Sequence, residues 1–138
     1  ETYWRLGGFE KKTIFNEDMI FAGKIILNGG GIAYVPEARV LHSHNYGNIE
    51  QLRRNFDLAV SQAEHPEIVA MASSESEGMK LVKHTTRYLI KSGHPWLIPE
   101  LDIKSGFKFI GYRLGKAYQK LPRGLVKRLS MNKSYWEK

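Results

Sequence analysis

The most constraining feature is a spacing that occurs twice. Between Ile49 and Ala63, apolar residues fall at 49, 52, 56, 59, 60 and 63. In "SGFKFIGYRLGKAYQKL" they fall at Phe107, Ile110, Leu114, Ala117, Tyr118 and Leu121. Both series follow the period of an α-helix with one buried face. Gly111 and Gly115, four residues apart, lie within the second series and would let a neighbouring helix approach closely. A chain with two such stripes is expected to pack helix on helix. Its 138 residues suffice for one domain of ordinary size.

Other segments fill in around this pair. "NEDMIFAGKIIL" reads as a helix, with Asn16 as N-cap, Glu17 and Asp18 favouring the dipole, and Asn28-Gly29-Gly30-Gly31 as the stop. Met19, Ile20, Phe21, Ile25, Ile26 and Leu27 cover much of its circumference, which predicts deep burial. "IAYVPEARVLH" has the β-branched and aromatic content of one or two short strands, interrupted at Pro36. "HSHNYGN" reads as a polar turn, Pro66 as a break or restart, and "MASSESEG" as a loop or the start of a helix. A further helix is expected from about Glu77 to Lys91. "PWLIPEL" reads as a hydrophobic connector, and Pro122 as the first residue of a last helix. The expected class is therefore α+β, mainly α. Residues 1–47 form one portion, and 48–138 a helical region with a basic tail.

Charge divides the chain in a similar way. Residues 1–77 carry seven Lys/Arg against eleven Asp/Glu, whereas residues 78–138 carry fourteen against three. The two halves are expected to do different jobs. With no cysteine, disulfide scaffolds and cysteine-based zinc sites are excluded. No apolar run reaches the roughly 18 residues that span a bilayer, and no signal peptide is visible. The text opens abruptly at "ETYWRLGGF", on Glu1 and not Met, as an excised piece of a longer protein would.

Several residues could carry chemistry. Glu17 and Asp18 could cap their helix, the commoner role for acids in a first turn, or supply a directed general base. His42 and His44, spaced i, i+2 at the end of an expected strand, could share a face toward a metal or be solvated. Gly7-Gly8-Phe9 could admit a ligand to the backbone or form a turn. Gln51, Arg53 and Arg54 lie near a helix start. Arginine there suits an anionic partner such as a diphosphate, and equally a solvated helix face.

Taken together, "WRLGGFEKKTIFNEDMIFAGKIILNGGGIAYVPEARVLHSH" resembles the C-terminal part of the catalytic domain of family 2 glycosyltransferases. The matching residues are Gly7, Gly8, Phe9, Phe15, Glu17, Asp18, Gly30 or Gly31, Tyr34, Pro36 and His42. "HSHNY" followed by "QLRRNFDLAVSQ", and the basic tail, are most similar to bacterial rhamnosyltransferases. The resemblance implies a fragment of a GT-A fold and an inverting sugar transfer from a nucleotide-sugar donor to a cell-surface polysaccharide or lipid-linked acceptor. Asp18 would be the base, and Glu17 would orient the base or the acceptor. Gly7, Gly8 and Phe9 would line the acceptor and sugar site. His42, with His44 as second candidate, would sit near the donor diphosphate and its divalent metal, Mg or Mn. Gln51 and Arg54 match a Gln-x-x-Arg element of processive relatives, with Asn55 where those have Trp.

The family's nucleotide-binding half ends in an Asp-x-Asp motif. The Asp residues here stand at 18, 57 and 102, with no such motif. The chain alone is therefore expected to be inactive, to bind no metal itself and to self-associate through surfaces meant for the missing half. Residues 104–138 hold ten Lys/Arg and one acid, interleaved with aromatic residues. Such a tail suits an anionic membrane surface, hence a cytoplasmic location at the inner face of the membrane. Its apolar stripe is assigned to packing. Nucleic acid is set aside because no recognition motif accompanies the charge. The competing possibility is a non-catalytic helical module that docks on an anionic membrane or a protein partner, with Glu17-Asp18 as a cap.

Overall fold

The computed structural model describes residues 1–41, 44–70 and 74–137. They form helices α1 (Thr2–Arg5), α2 (Glu17–Leu27), α3 (Asn48–Glu64), α4 (Pro66–Val69), α5 (Ser74–Lys91), α6 (Ile98–Lys116) and α7 (Arg123–Leu129). Single 3₁₀ turns lie at Pro95–Leu97, Tyr118–Lys120 and Lys133–Trp136. The protein is thus largely α.

The two periodic segments become the central pair, α3 and α6. A Cβ on Gly111 would collide with the Leu52 carbonyl oxygen. One on Gly115 would collide with the Phe56 carbonyl oxygen and lie 2.7 Å from the Ala59 Cβ. The missing side chains therefore let the two backbones touch, as the glycine spacing predicts. At its N-terminus α3 is closed by Glu50, whose Oε2 accepts a hydrogen bond from the Gly47 N–H at 2.8 Å. Its C-terminal half carries the core. Phe56 and Val60 are fully buried with Ile14 and Val126, flanked by Phe15, Leu114, Tyr118, Leu121, Leu129, Tyr135 and Trp136. The basic tail is held by its apolar stripe, as expected, and by hydrogen bonds. Tyr118 and Tyr135 donate their hydroxyls to the two oxygens of Glu64, at 3.2 and 3.0 Å.

The structure departs from expectation at four places. Among the described residues there is no strand. "IAYVPEAR" runs exposed and irregular, with only a turn at Pro36 in which Ala38 N–H donates to the Val35 carbonyl at 3.1 Å. A strand needs a neighbouring strand to take its backbone hydrogen bonds, and the described residues supply none. α2 is less buried than its composition predicts. Ile20 and Gly23 are covered, but Ile26 and Leu27 are exposed. α6 begins at Ile98, well before the expected Ser105, because Pro99 in the first turn has no helical N–H to lose. α7 starts at Arg123, with Pro122 as its N-cap.

Candidate functional site

The acidic pair sits on a helix start that is pinned from outside. The Phe15 carbonyl accepts hydrogen bonds from Ser61 Oγ at 2.6 Å and Thr13 Oγ1 at 2.7 Å. Asn16 adopts the left-handed conformation (φ 63°) and donates its side-chain amide to the Leu58 carbonyl at 3.3 Å. Asn16 stands at the N-cap position of α2, as expected from sequence, and its carbonyl accepts from Ile20 N–H at 2.9 Å, but its side chain makes no capping hydrogen bond. The bonds to Ser61 and Leu58 reach across more than forty residues and fix the direction in which α2 leaves the core.

Glu17 and Asp18 follow directly, and both are exposed. Asp18 Oδ1 accepts from the Met19 N–H at 2.7 Å. Its Oδ2 has no hydrogen-bond partner among the described residues. Neither carboxylate belongs to an ion pair there. Local N–H satisfaction and an outward-facing carboxylate oxygen thus coexist in one residue.

Arg54 is brought to the same corner. Its guanidinium lies over the Phe15 ring at 4.8 Å and over the Tyr46 ring at 5.6 Å. Tyr46 in turn stacks on His44, with centroids 4.8 Å apart and planes within 10°. Two aromatic contacts restrict a long side chain and keep its charge next to the start of α2. Gln51 lies one turn earlier on α3 and is half-buried. Tyr46 carried no signal of this role, since "HSHNYGN" has the composition of an ordinary turn.

Gly7 and Gly8 form a left-handed turn, φ 78° and 68°, that few other residues would accept. A Cβ at Gly8 would lie 2.8 Å from the Tyr3 ring. The turn gathers Tyr3, Phe9 and Phe21, whose centroids lie 5.3–5.5 Å apart. Trp4 packs edge-on against Tyr3 and is 82% exposed. Phe21 is three residues beyond Asp18 on α2, so this aromatic cluster adjoins the acidic pair.

His42 lies outside the described residues. Among those described, no three His, Asp or Glu side chains converge as a metal site would require.

No family model matches the chain, and no solved structure matches it. Two curated relatives do. The chain is 42% identical over 132 residues, 95% of its length, to the O-antigen chain rhamnosyltransferase WbaN of Salmonella anatum. It is equally similar over the same length to the O-antigen chain rhamnosyltransferase RfbN of Salmonella typhimurium. It spans 42% of the length of each relative.

Proposed function

We propose that the chain is part of an inverting rhamnosyltransferase of family 2 with a GT-A catalytic domain. The observation that carries the rhamnosyltransferase part of this reading is the 42% identity to two O-antigen chain rhamnosyltransferases, maintained over 95% of the chain; family 2, the GT-A domain and inversion rest on the motif resemblance of residues 4–46. The donor would be a nucleotide-activated rhamnose and the acceptor a hydroxyl of a growing polysaccharide or lipid-linked saccharide. Asp18 would accept the proton of that hydroxyl as its oxygen attacks the anomeric carbon. The bond from that carbon to the diphosphate oxygen breaks, and the electron pair leaves with the diphosphate. Glu17 would orient the acceptor, and Gly7, Gly8 and Phe9 would line its site.

Arg54, held between Phe15 and Tyr46, would face the anionic donor, with Gln51 beside it. His42 and His44 would lie near the diphosphate. A divalent metal, Mg or Mn, would be held mainly by residues of the longer protein that this chain does not supply, so the chain alone should not turn over. The test is a transfer assay on the longer protein with a panel of nucleotide sugars and an O-antigen acceptor. Rhamnose incorporation supports the reading, and a clear preference for another sugar, or no transfer, rejects it.

A further inference from the structure

Beyond α6 the basic tail commits Tyr118, Leu121, Leu129, Tyr135 and Trp136 to the core and leaves Leu125 and Met131 exposed. A larger group of exposed apolar side chains lies around the turn that joins α5 to α6. Tyr88 and Ile90 end α5, Trp96 and Leu97 form the turn, and Ile103 lies early in α6. Trp96 is 67% exposed and is braced edge-on by His94 at 5.1 Å. Behind the turn, α5 and α6 flank an open apolar groove of about 590 Å³, lined in part by Leu58, Met79, Val82, Leu101, Phe109 and Tyr112.

The same two helices are basic. Residues 78–116 hold eight Lys/Arg against two acids, and one of these, Glu100, is paired with Lys104 at 2.6 Å. On α5, helical spacing gathers Lys80, Lys83, Arg87 and Lys91 on the side away from Val82 and Leu89. Apolar residues and a tryptophan at a turn, flanked by lysine and arginine, match the two layers of an anionic bilayer surface. The ring sits among headgroups and the cations meet lipid phosphates. No helix among the described residues is long and apolar enough to cross a membrane, so such contact lies along the surface.

We propose that the turn between α5 and α6, with Trp96 at its tip, is the site at which this chain seats on an anionic lipid bilayer. The basic tail is secondary. Each Lys or Arg near such a surface strengthens partitioning about fivefold. The inference stands apart from the transfer chemistry and survives if that reading fails.

The test uses the chain itself with phosphatidylcholine vesicles, with and without phosphatidylglycerol, some carrying brominated acyl chains that quench tryptophan at the interface. Binding should require phosphatidylglycerol, and quenching should be largely lost in Trp96→Phe. Lys83→Glu with Arg87→Glu should weaken partitioning at least about tenfold. Arg128→Glu with Lys133→Glu, in the tail, should change it less than about threefold. Circular dichroism checks that each variant is folded. The proposal is overturned by equal binding to neutral vesicles, by quenching that persists in Trp96→Phe, or by a tail reversal as damaging as the α5 reversal. It is equally overturned if the chain pairs with itself through this turn and ignores lipid.

Discussion

Asp57 is the residue on which the tail closes. It is only 2% exposed, and its Oδ2 accepts the N–H groups of Met131 at 2.8 Å and Asn132 at 3.3 Å. Its Oδ1 has no partner among the described residues. Burial pushes its carboxyl above the ordinary value of 3.8, against the opposing pulls of the Ser130 side chain and the two backbone N–H groups. A raised folded pKa means that folding favours the protonated form. This contribution is full below 3.8 and fades as pH rises through the folded value. Asp57→Asn keeps an acceptor for Met131 and removes the buried charge. Thermal melts should show it no less stable at pH 7 and flatter in pH dependence from about pH 4 upward. Asp57→Ala leaves the Met131 N–H unmatched, while the Asn132 N–H keeps Ser130 Oγ at 3.0 Å, and should cost about 1–3 kcal/mol. Tyr135 behaves in the same sense at the alkaline end. Burial first, then its hydrogen bond to Glu64, pushes its hydroxyl up to about 12. Stability from this group is present below 10 and is lost as pH rises toward 12. Spectrophotometric titration should show a late-titrating hydroxyl that disappears in Tyr135→Phe. A titration curve unchanged by Tyr135→Phe at its alkaline end would contradict it.

At the scale of elements, α6 provides its own controlled comparison. Gly111→Ala should destabilise by about 1–3 kcal/mol, because the new methyl meets the α3 backbone at Leu52 and neither helix can give way cheaply. Gly106, on the same helix, has nothing within 4 Å of its would-be Cβ. Gly106→Ala should stabilise by up to about 1 kcal/mol through helix propensity alone. Denaturant unfolding of the two variants checks both signs. The α3–α6 pairing was legible in the sequence because periodicity and glycine spacing are local patterns. The start of α6 was not, since Pro99 marks a break in one context and a first turn in another. Asn16 shows the same limit more sharply. Its residue type and position announce a cap, but its amide is taken by Leu58, 42 residues away. The anchoring of Phe15 by Ser61, and the stacking of Arg54 on Tyr46, are likewise products of tertiary packing that no local pattern carries. The strands expected around Pro36 illustrate the converse. β-propensity describes a segment ready to pair, and pairing needs a partner.

At the scale of the whole molecule, two of the exposed apolar regions differ in their surroundings. One is basic and lies around the α5–α6 turn. The other includes Ile26, Leu27, Tyr34 and Val35, follows the carboxylate pair in sequence, and lies in the acidic half. The chain spans 42% of its relatives' length, and in the longer protein proposed above further chain would cover the second region. Amide hydrogen exchange should therefore be slower over residues 31–41 in the longer protein than in this chain. Equal rates would mean that this segment stays uncovered. Asp18, the proposed base, is an exposed carboxylate on a helix whose direction is fixed by Ser61 and Asn16. The most direct measurement is rhamnosyl transfer by the longer protein carrying Asp18→Asn, with donor affinity measured in parallel. The turnover number should fall by about 10²–10⁴-fold while the donor dissociation constant stays within about twofold. Turnover near that of the unsubstituted protein would contradict the assignment and leave Asp18 as a helix-start residue only.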